Sequence, residues 1–177
     1  MGKLRASTIA IAAIMIAITA VFTLVVRVPI PATQGYVNFS DVATFFAGLA
    51  FGPWIGFVAG GVGAALADIL GGYAQFALVT LFAHGLQGFV AGSLSRGKGL
   101  PGLVVAWLGG AAAMIVIYLV GEALFLGMGW AAAIAEVPAN LLQNVVGGVL
   151  GIPLFYAVRR AYPPITRMGQ PTEWREN

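Results

Sequence analysis

The sequence contains no cysteine, and only 8% of its 177 residues are charged. Without cysteine, disulfides, thiol catalysis and cysteine-ligated metal sites are excluded. With 60% apolar residues, the chain has too little charge to cover a soluble domain of this size with polar surface. Most of its surface is therefore expected to face lipid.

The sequence also contains few residues suited to metal binding, ATP binding or catalysis. His84 is the only histidine, and a metal site would need further histidine, cysteine or acidic ligands beside it, so no metal is expected. No GxxxxGK[ST] loop is present to hold ATP phosphates. Ser93 and Ser95 share a predicted helix with His84, and a serine–histidine catalytic pair would require that helix to bend. We therefore predict neither an enzyme nor a resident cofactor, and the intramembrane enzyme is the third-ranked alternative.

The apolar residues form six runs separated by glycine, proline or charge. These runs are residues 7–26, 38–51, 53–70, 73–94, 101–125 and 131–156. About 20 helical residues span a bilayer core, and only a helix satisfies its own backbone groups there. The second run would reach only about 21 Å, so it is tilted, buried or begins in the preceding loop, and five spans are the alternative count.

The fold class predicted is an all-α polytopic membrane protein with six transmembrane helices. Residues 1–162 form the membrane domain, and residues 163–177 form a tail without a fold of its own. Six spans place both termini on one side of the membrane, together with eight of the nine lysines and arginines, which leaves Arg27 on the other side. Cytoplasmic loops carry the excess of positive charge, so both termini are predicted to be cytoplasmic in a multi-pass plasma-membrane protein.

Four acidic residues lie near the outer ends of the predicted spans: Asp41, Asp68, Glu122 and Glu136. Acids inside a membrane are costly and are candidates for function by default. Such an acidic rim would attract a polar or cationic solute. For Asp41, at the start of the second helix, we favour a helix N-cap.

The sixth run has a polar face. Residues at spacings of three or four share it, namely Glu136, Asn140, Gln143, Asn144, Gly147 and Gly151. The amides and carboxylate could recognise a heteroatom-rich solute at several depths, or they could pack helices together. On the fifth run, Tyr118 and Glu122 are four residues apart, a spacing that suits a flat ring bearing an amine or ring nitrogen, although a tyrosine at the membrane interface is equally ordinary.

Small residues recur on the first and middle helices. Ala6, Ala10, Ala13, Ala17 and Ala20 lie in one stripe on the first helix. Similar spacing is present in Gly48, Gly52, Gly56 and Gly60, and in Gly88 with Gly92. Small residues let another helix approach closely, and that helix could belong to this chain or to another protein.

Three motifs occur in order: an acidic residue opening the second helix, FGPWIGFVAGG at residues 51–61 and LADILGGY at residues 66–73. With them, residues 35–94 resemble the substrate-binding S components of energy-coupling factor (ECF) vitamin transporters. The resemblance implies a small membrane protein that binds a vitamin or precursor near the outer surface. It also implies a transmembrane coupling (T) subunit with two ATPases, against which the whole S component topples.

The resemblance further implies roles for particular positions. The AxxxA surface that contacts the coupling subunit corresponds to Ala6, Ala10, Ala13 and Ala17. The expected substrate-binding residues are Tyr36, Asn38, His84, Tyr118, Glu122, Glu136, Asn140 and Asn144.

We therefore expect an S component for a heteroaromatic, amine-bearing vitamin or precursor of the thiamine-pyrimidine or pyridoxine type, and riboflavin stays open. The alternative is a structural or assembly subunit whose polar stripe only packs helices. The basic residues lie at the ends of the apolar runs, so no nucleic-acid partner is expected.

Overall fold

The computed structural model describes residues 6–31, 33 and 35–168, which form a helical bundle. Its six helices are α1 (Ala6–Val25), α2 (Ser40–Phe51), α3 (Pro53–Gly71), α4 (Ala77–Leu94), α5 (Leu100–Phe125) and α6 (Trp130–Ala161). All but α2 are long and apolar enough to cross a membrane. The predicted all-α class with six helices is confirmed.

Helix α2 is short because it lies inside the bundle. All of its residues except Phe46 are buried, so it has no need to reach both membrane surfaces. Gly52 ends it at φ +90°, a backbone conformation that favours glycine, and Pro53 then starts α3. Of the alternatives for this run, a buried helix is the one the structure adopts.

The N-cap interpretation of Asp41 is wrong. No side-chain hydrogen bond caps α2 from its N-cap residue, and the Ser40 N–H is instead bound by the Asn38 side-chain oxygen at 2.7 Å. Asp41 lies in the first turn and is fully buried, with its carboxylate directed at other helices. A position in the first turn of α2 would allow Asp41 to cap the helix, but the same position directs its side chain into the bundle.

A small hairpin follows α1. Strand β1 (Val28–Ile30) pairs antiparallel with β2 (Gly35–Val37), so that Pro29 lies opposite Tyr36. The Arg27 guanidinium donates to the carbonyl oxygen of Gly71 at 3.2 Å and holds the start of the hairpin against the end of α3. The all-α prediction did not include these strands.

Glycines bring α2, α3 and α4 into backbone contact. A Cβ atom on Gly48 would lie 2.6 Å from the Gly88 carbonyl oxygen, and one on Gly56 would lie 2.5 Å from the same atom. The close approach expected of the two glycine series therefore occurs within this chain. Larger residues at these positions would force the helices apart.

The end of the bundle away from the hairpin has an apolar core. Met15, Leu49, Leu103 and Phe155 are among its buried members. Ile165 joins them from a 3-10 helix at Pro163–Arg167, where Thr166 is also buried. The first residues of the predicted tail are thus packed, whereas residues 169–177 lie outside the described part of the chain.

Candidate functional site

A cavity lies beneath the hairpin, between the ends of α1, α3, α4, α5 and α6. Its lining residues are Thr23, Gly35, Tyr36, Asn38, Ala64, Asp68, Phe76, Thr80, Tyr118, Glu136, Asn140 and Gln143. The volume of this cavity is about 20 Å³. Small-molecule pockets are much larger, so the hairpin or the helix ends must part for a vitamin-sized molecule to enter.

The cavity brings together five of the eight residues expected to bind substrate: Tyr36, Asn38, Tyr118, Glu136 and Asn140. His84, Glu122 and Asn144 are not among the lining residues and are buried behind them. Asp68, Thr80 and Gln143 also line the cavity although they are not among the eight residues expected to bind substrate, and of these three Gln143 belongs to the polar face predicted on the sixth run. Asp68 could have been found as the acid of the LADILGGY turn, whereas nothing in the sequence marks Ala64 or Phe76.

Two carboxylates meet on the side of the cavity formed by α5 and α6. Glu122 is fully buried, and neither of its oxygens accepts a hydrogen bond from an N–H or hydroxyl group of the described residues. It lies within interaction distance of Glu136, whose Oε2 is also buried without a partner. No salt bridge from a described lysine or arginine reaches either group. A buried carboxylate in a membrane is costly unless it is protonated or paired, so this pair needs either a shared proton or a cation from outside the described residues.

Tyr36 connects the hairpin to α3 across the cavity. Its hydroxyl donates to Asp68 Oδ1 at 2.6 Å, and its ring packs against Tyr73, with 4.6 Å between the ring centroids. The Arg27 guanidinium lies 5.5 Å from the centroid of the Tyr36 ring. Burial, together with the neighbouring Asp68 carboxylate, raises the pKa of Tyr36 well above its ordinary value, so the hydroxyl stays protonated and remains a donor.

Below the cavity, a hydrogen-bonded network joins α2, α4 and α6. Asp41 Oδ1 lies 3.2 Å from His84 Nδ1 and accepts a hydrogen bond from Gln143 Nε2 at 3.0 Å. His84 Nδ1 also lies 3.0 Å from Gln87 Oε1, and Gln87 Nε2 donates to Asn144 Oδ1 at 2.7 Å. His84 and Asn144 are therefore bonded to other helices, which matches the helix-packing interpretation for these two residues.

The residues of the polar stripe of α6 contact two different surroundings, the cavity and the hydrogen-bonded network below it. Glu136 and Asn140 face the cavity, Asn144 faces the network, and Gln143 contacts both. Gln143 Oε1 accepts the Asn38 backbone N–H at 2.7 Å and so fixes the end of the hairpin. The polar stripe is not completely enclosed by packed helices, because its outer part borders the cavity.

The alanine stripe of α1 lies on the opposite side of that helix from the bundle. Ala6, Ala10, Ala13 and Ala17 are all exposed. The buried residues of α1 are Ile11, Met15, Thr19, Ala20 and Thr23. Four of the five alanines are therefore free to contact another molecule.

A family model described as the S component of an ECF-type riboflavin transporter matches residues 3–160, most of the chain. The chain belongs to this S-component family. It is a multi-pass plasma-membrane protein for vitamin uptake, as the resemblance of residues 35–94 implied. S components bind the transported substrate, and the family is not one of enzymes.

Similar proteins agree with this assignment. The S component is 38% identical to an uncharacterised protein of Pyrococcus woesei over 82% of this chain and 97% of that one. It is 32% identical to the thiamine precursor transporter HmpT of Lactococcus lactis over 78% and 79% of the two chains. A solved S component of a bacterial ECF transporter has the same fold, with a TM-score of 0.71 and 20% identity over 87% of this chain and 96% of that one.

Proposed function

We propose that this S component binds a small heteroaromatic vitamin or precursor that carries an amine or a basic ring nitrogen, of the thiamine-pyrimidine or pyridoxine type. The observation that supports it most directly is the buried pair of Glu122 and Glu136, which no described lysine or arginine neutralises. A protonated ring nitrogen or amine would supply the missing positive charge, with charge-assisted hydrogen bonds to Glu136. The relationship to a thiamine precursor transporter supports the same class of substrate.

The rest of the cavity wall suits a flat polar ring. Tyr36, Phe76 and Tyr118 offer aromatic surfaces, which bind ring faces well. Asn38 and Asn140 offer side-chain donors and acceptors for substituents on the ring. A site with these groups gives orientation as well as charge balance.

Riboflavin is the second candidate, because the family model carries its name. Its ring system is uncharged at neutral pH and would leave the Glu122 and Glu136 pair unbalanced. Its larger size would also demand a wider opening of a cavity whose volume is now about 20 Å³. Both considerations rank it below an amine-bearing ring.

For transport, we propose that the exposed alanine stripe on α1 contacts a coupling subunit and, through it, two ATPases. A face of small residues allows a partner helix to approach closely in lipid, where apolar side chains alone provide little driving force. We also propose that both termini are cytoplasmic, on the basis of the lysine and arginine distribution.

The test of substrate class starts with mass spectrometry of small molecules released from the purified protein. Titrations with an aminopyrimidine, pyridoxine and riboflavin then rank the candidates. Glu136→Ala and Asn140→Ala should each weaken binding by about 10-fold or more, since each removes a group that can bond the substrate. Leu142→Ala is the control, because this side chain is on the same helix and 62% exposed. Unchanged affinity in both cavity variants would exclude this face of α6 from the site.

A further inference from the structure

We propose that Asp68, on α3, is a specificity-determining residue that accepts an N–H of the substrate's exocyclic amine while Glu136 binds the ring nitrogen. This inference rests on the proposed function and refines it to one substrate class, an aminopyrimidine. It assigns a role to a residue that lies outside the set expected from the sequence.

One carboxylate oxygen of Asp68 has no hydrogen-bond donor among the residues that the structure describes. Its side chain lines the cavity and is only 4% exposed. Oδ1 is occupied by the Tyr36 hydroxyl, but Oδ2 is buried and has no hydrogen-bond partner. Leaving a buried carboxylate oxygen unsatisfied is unfavourable, so a ligand N–H at this position would gain more than one placed in water.

The neighbouring hydroxyls are already engaged. Thr80 also lines the cavity, and its Oγ1 lies 2.9 Å from the Tyr118 hydroxyl, so the two groups share one hydrogen bond in which either can donate. The Tyr36 hydroxyl has a single proton, which it gives to Oδ1. Among the described groups at this wall, Asp68 Oδ2 is a carboxylate acceptor without a hydrogen-bond partner, and it is therefore the acceptor that we assign to the substrate.

Two acceptors on separate helices select for two donors on one molecule. Glu136 on α6 and Asp68 on α3 each present a buried oxygen without a partner. In a 4-aminopyrimidine, the amine at position 4 and the ring nitrogen at position 1 lie at opposite ends of the ring, which is the arrangement of donors that two acceptors on different helices would require. Sites that hydrogen-bond a polar group discriminate strongly against analogues lacking it.

Asp68 has a competing role as a latch that holds the hairpin through Tyr36. The two roles make different predictions for variants. Tyr36→Phe removes the hydrogen bond to Oδ1 and keeps the carboxylate, whereas Asp68→Asn removes the charge and keeps the shape. If Asp68 binds the amine, only the second change should remove selectivity for amines.

The experiment measures the affinity of the purified full-length protein for two probes by calorimetry. They are 4-amino-5-hydroxymethyl-2-methylpyrimidine and the same ring with hydrogen in place of the amine. The wild type should prefer the amino probe by about 30-fold, the range of a hydrogen bond to a charged group. Asp68→Asn should reduce that preference to about 3-fold or less, and Tyr36→Phe should retain it. If Asp68→Asn does not survive purification, Asp68→Ser serves for the same comparison.

The experiment distinguishes a failure of the proposed function from a failure of the role proposed for Asp68. If the wild type binds neither probe, the proposed substrate class is wrong and this inference falls with it. If the wild type binds the amino probe but shows no preference, or if Asp68→Asn retains the preference, the role of Asp68 is refuted while the proposed function stands. Equal loss of preference in Asp68→Asn and Tyr36→Phe would show that Asp68 acts only as a latch.

Discussion

The two ends of the bundle differ in the chemistry of their buried side chains. At the cavity end, Asp68, Glu122 and Glu136 are buried with carboxylate oxygens that have no partner. At the opposite end, Leu49 and Phe155 belong to an apolar core. The second arrangement stabilises the fold, and the first costs stability and leaves binding groups available. On the proposed function, folding and recognition are therefore carried out by separate parts of one small protein.

Helix α1 runs through both ends. Thr23 lines the cavity, while the stripe from Ala6 to Ala17 faces away from the bundle nearer the opposite end. Binding and coupling should therefore be separable by mutation along one helix.

The largest effect is expected from Ala13→Trp or Ala17→Trp. A bulky ring on the exposed stripe would block close approach of the coupling subunit, reducing uptake by about 100-fold or more while leaving substrate affinity unchanged. Uptake of labelled substrate in cells containing the coupling module, beside titration of the purified protein, measures the two effects. Ala112→Trp is the matched control, since Ala112 is exposed on α5 outside the stripe. Normal uptake by both α1 variants would refute the interface.

Next in size is the effect of Gly56→Ala on stability. The new Cβ atom would lie 2.5 Å from the Gly88 carbonyl oxygen and 2.8 Å from the Gly48 Cα, and both of these are backbone atoms. Overpacking of this kind costs about 3 kcal/mol and should lower the thermal midpoint by roughly 10 °C. Gly99→Ala is the control, because the nearest atom to its Cβ would be 4.0 Å away. A midpoint equal to that of the control would show that the glycine contacts do not stabilise the bundle.

The smallest effect has the opposite sign. Glu122→Gln removes a buried carboxylate without a partner and should raise the thermal midpoint by roughly 3 °C, about 1 kcal/mol. Asp41→Asn provides the contrast, since the Asp41 carboxylate is paired with His84 and Gln143 and its loss should lower the midpoint. If both substitutions destabilise equally, the unpartnered acids are not a cost to the fold and the contrast between the two ends fails.

The sequence predicted those parts of the structure that depend on a regular pattern. Apolar runs identified the helices, and glycine spacing identified the close contacts at Gly48, Gly56 and Gly88. The three-to-four spacing on α6 identified a polar face but could not show that Asn144 bonds Gln87 while Asn140 borders the cavity. That division depends on which helix lies opposite each turn, and it is set by tertiary packing.

The remaining differences arise from short segments. The hairpin residues Val28 to Val37 are too few for an alternating pattern to be recognised, so these strands were missed. Asp41 satisfied the local rule for a cap, yet the burial of α2 turned it towards His84. Asp68 was noted as an outer acid, but its contact with Tyr36 joins residues 32 positions apart. Such long-range contacts leave no local trace in the sequence.

The narrow cavity beneath the hairpin also has a kinetic consequence. Because the cavity is much smaller than a vitamin, the proposed substrate can associate only with molecules in which the cavity wall has opened. The observed association rate should then level off at high substrate concentration, at the rate of opening. The measured affinity will also be weaker than the intrinsic affinity by the fraction of molecules that are open. Bonds such as that between Tyr36 and Asp68 would thus set how fast the nutrient is captured as well as how tightly it is held.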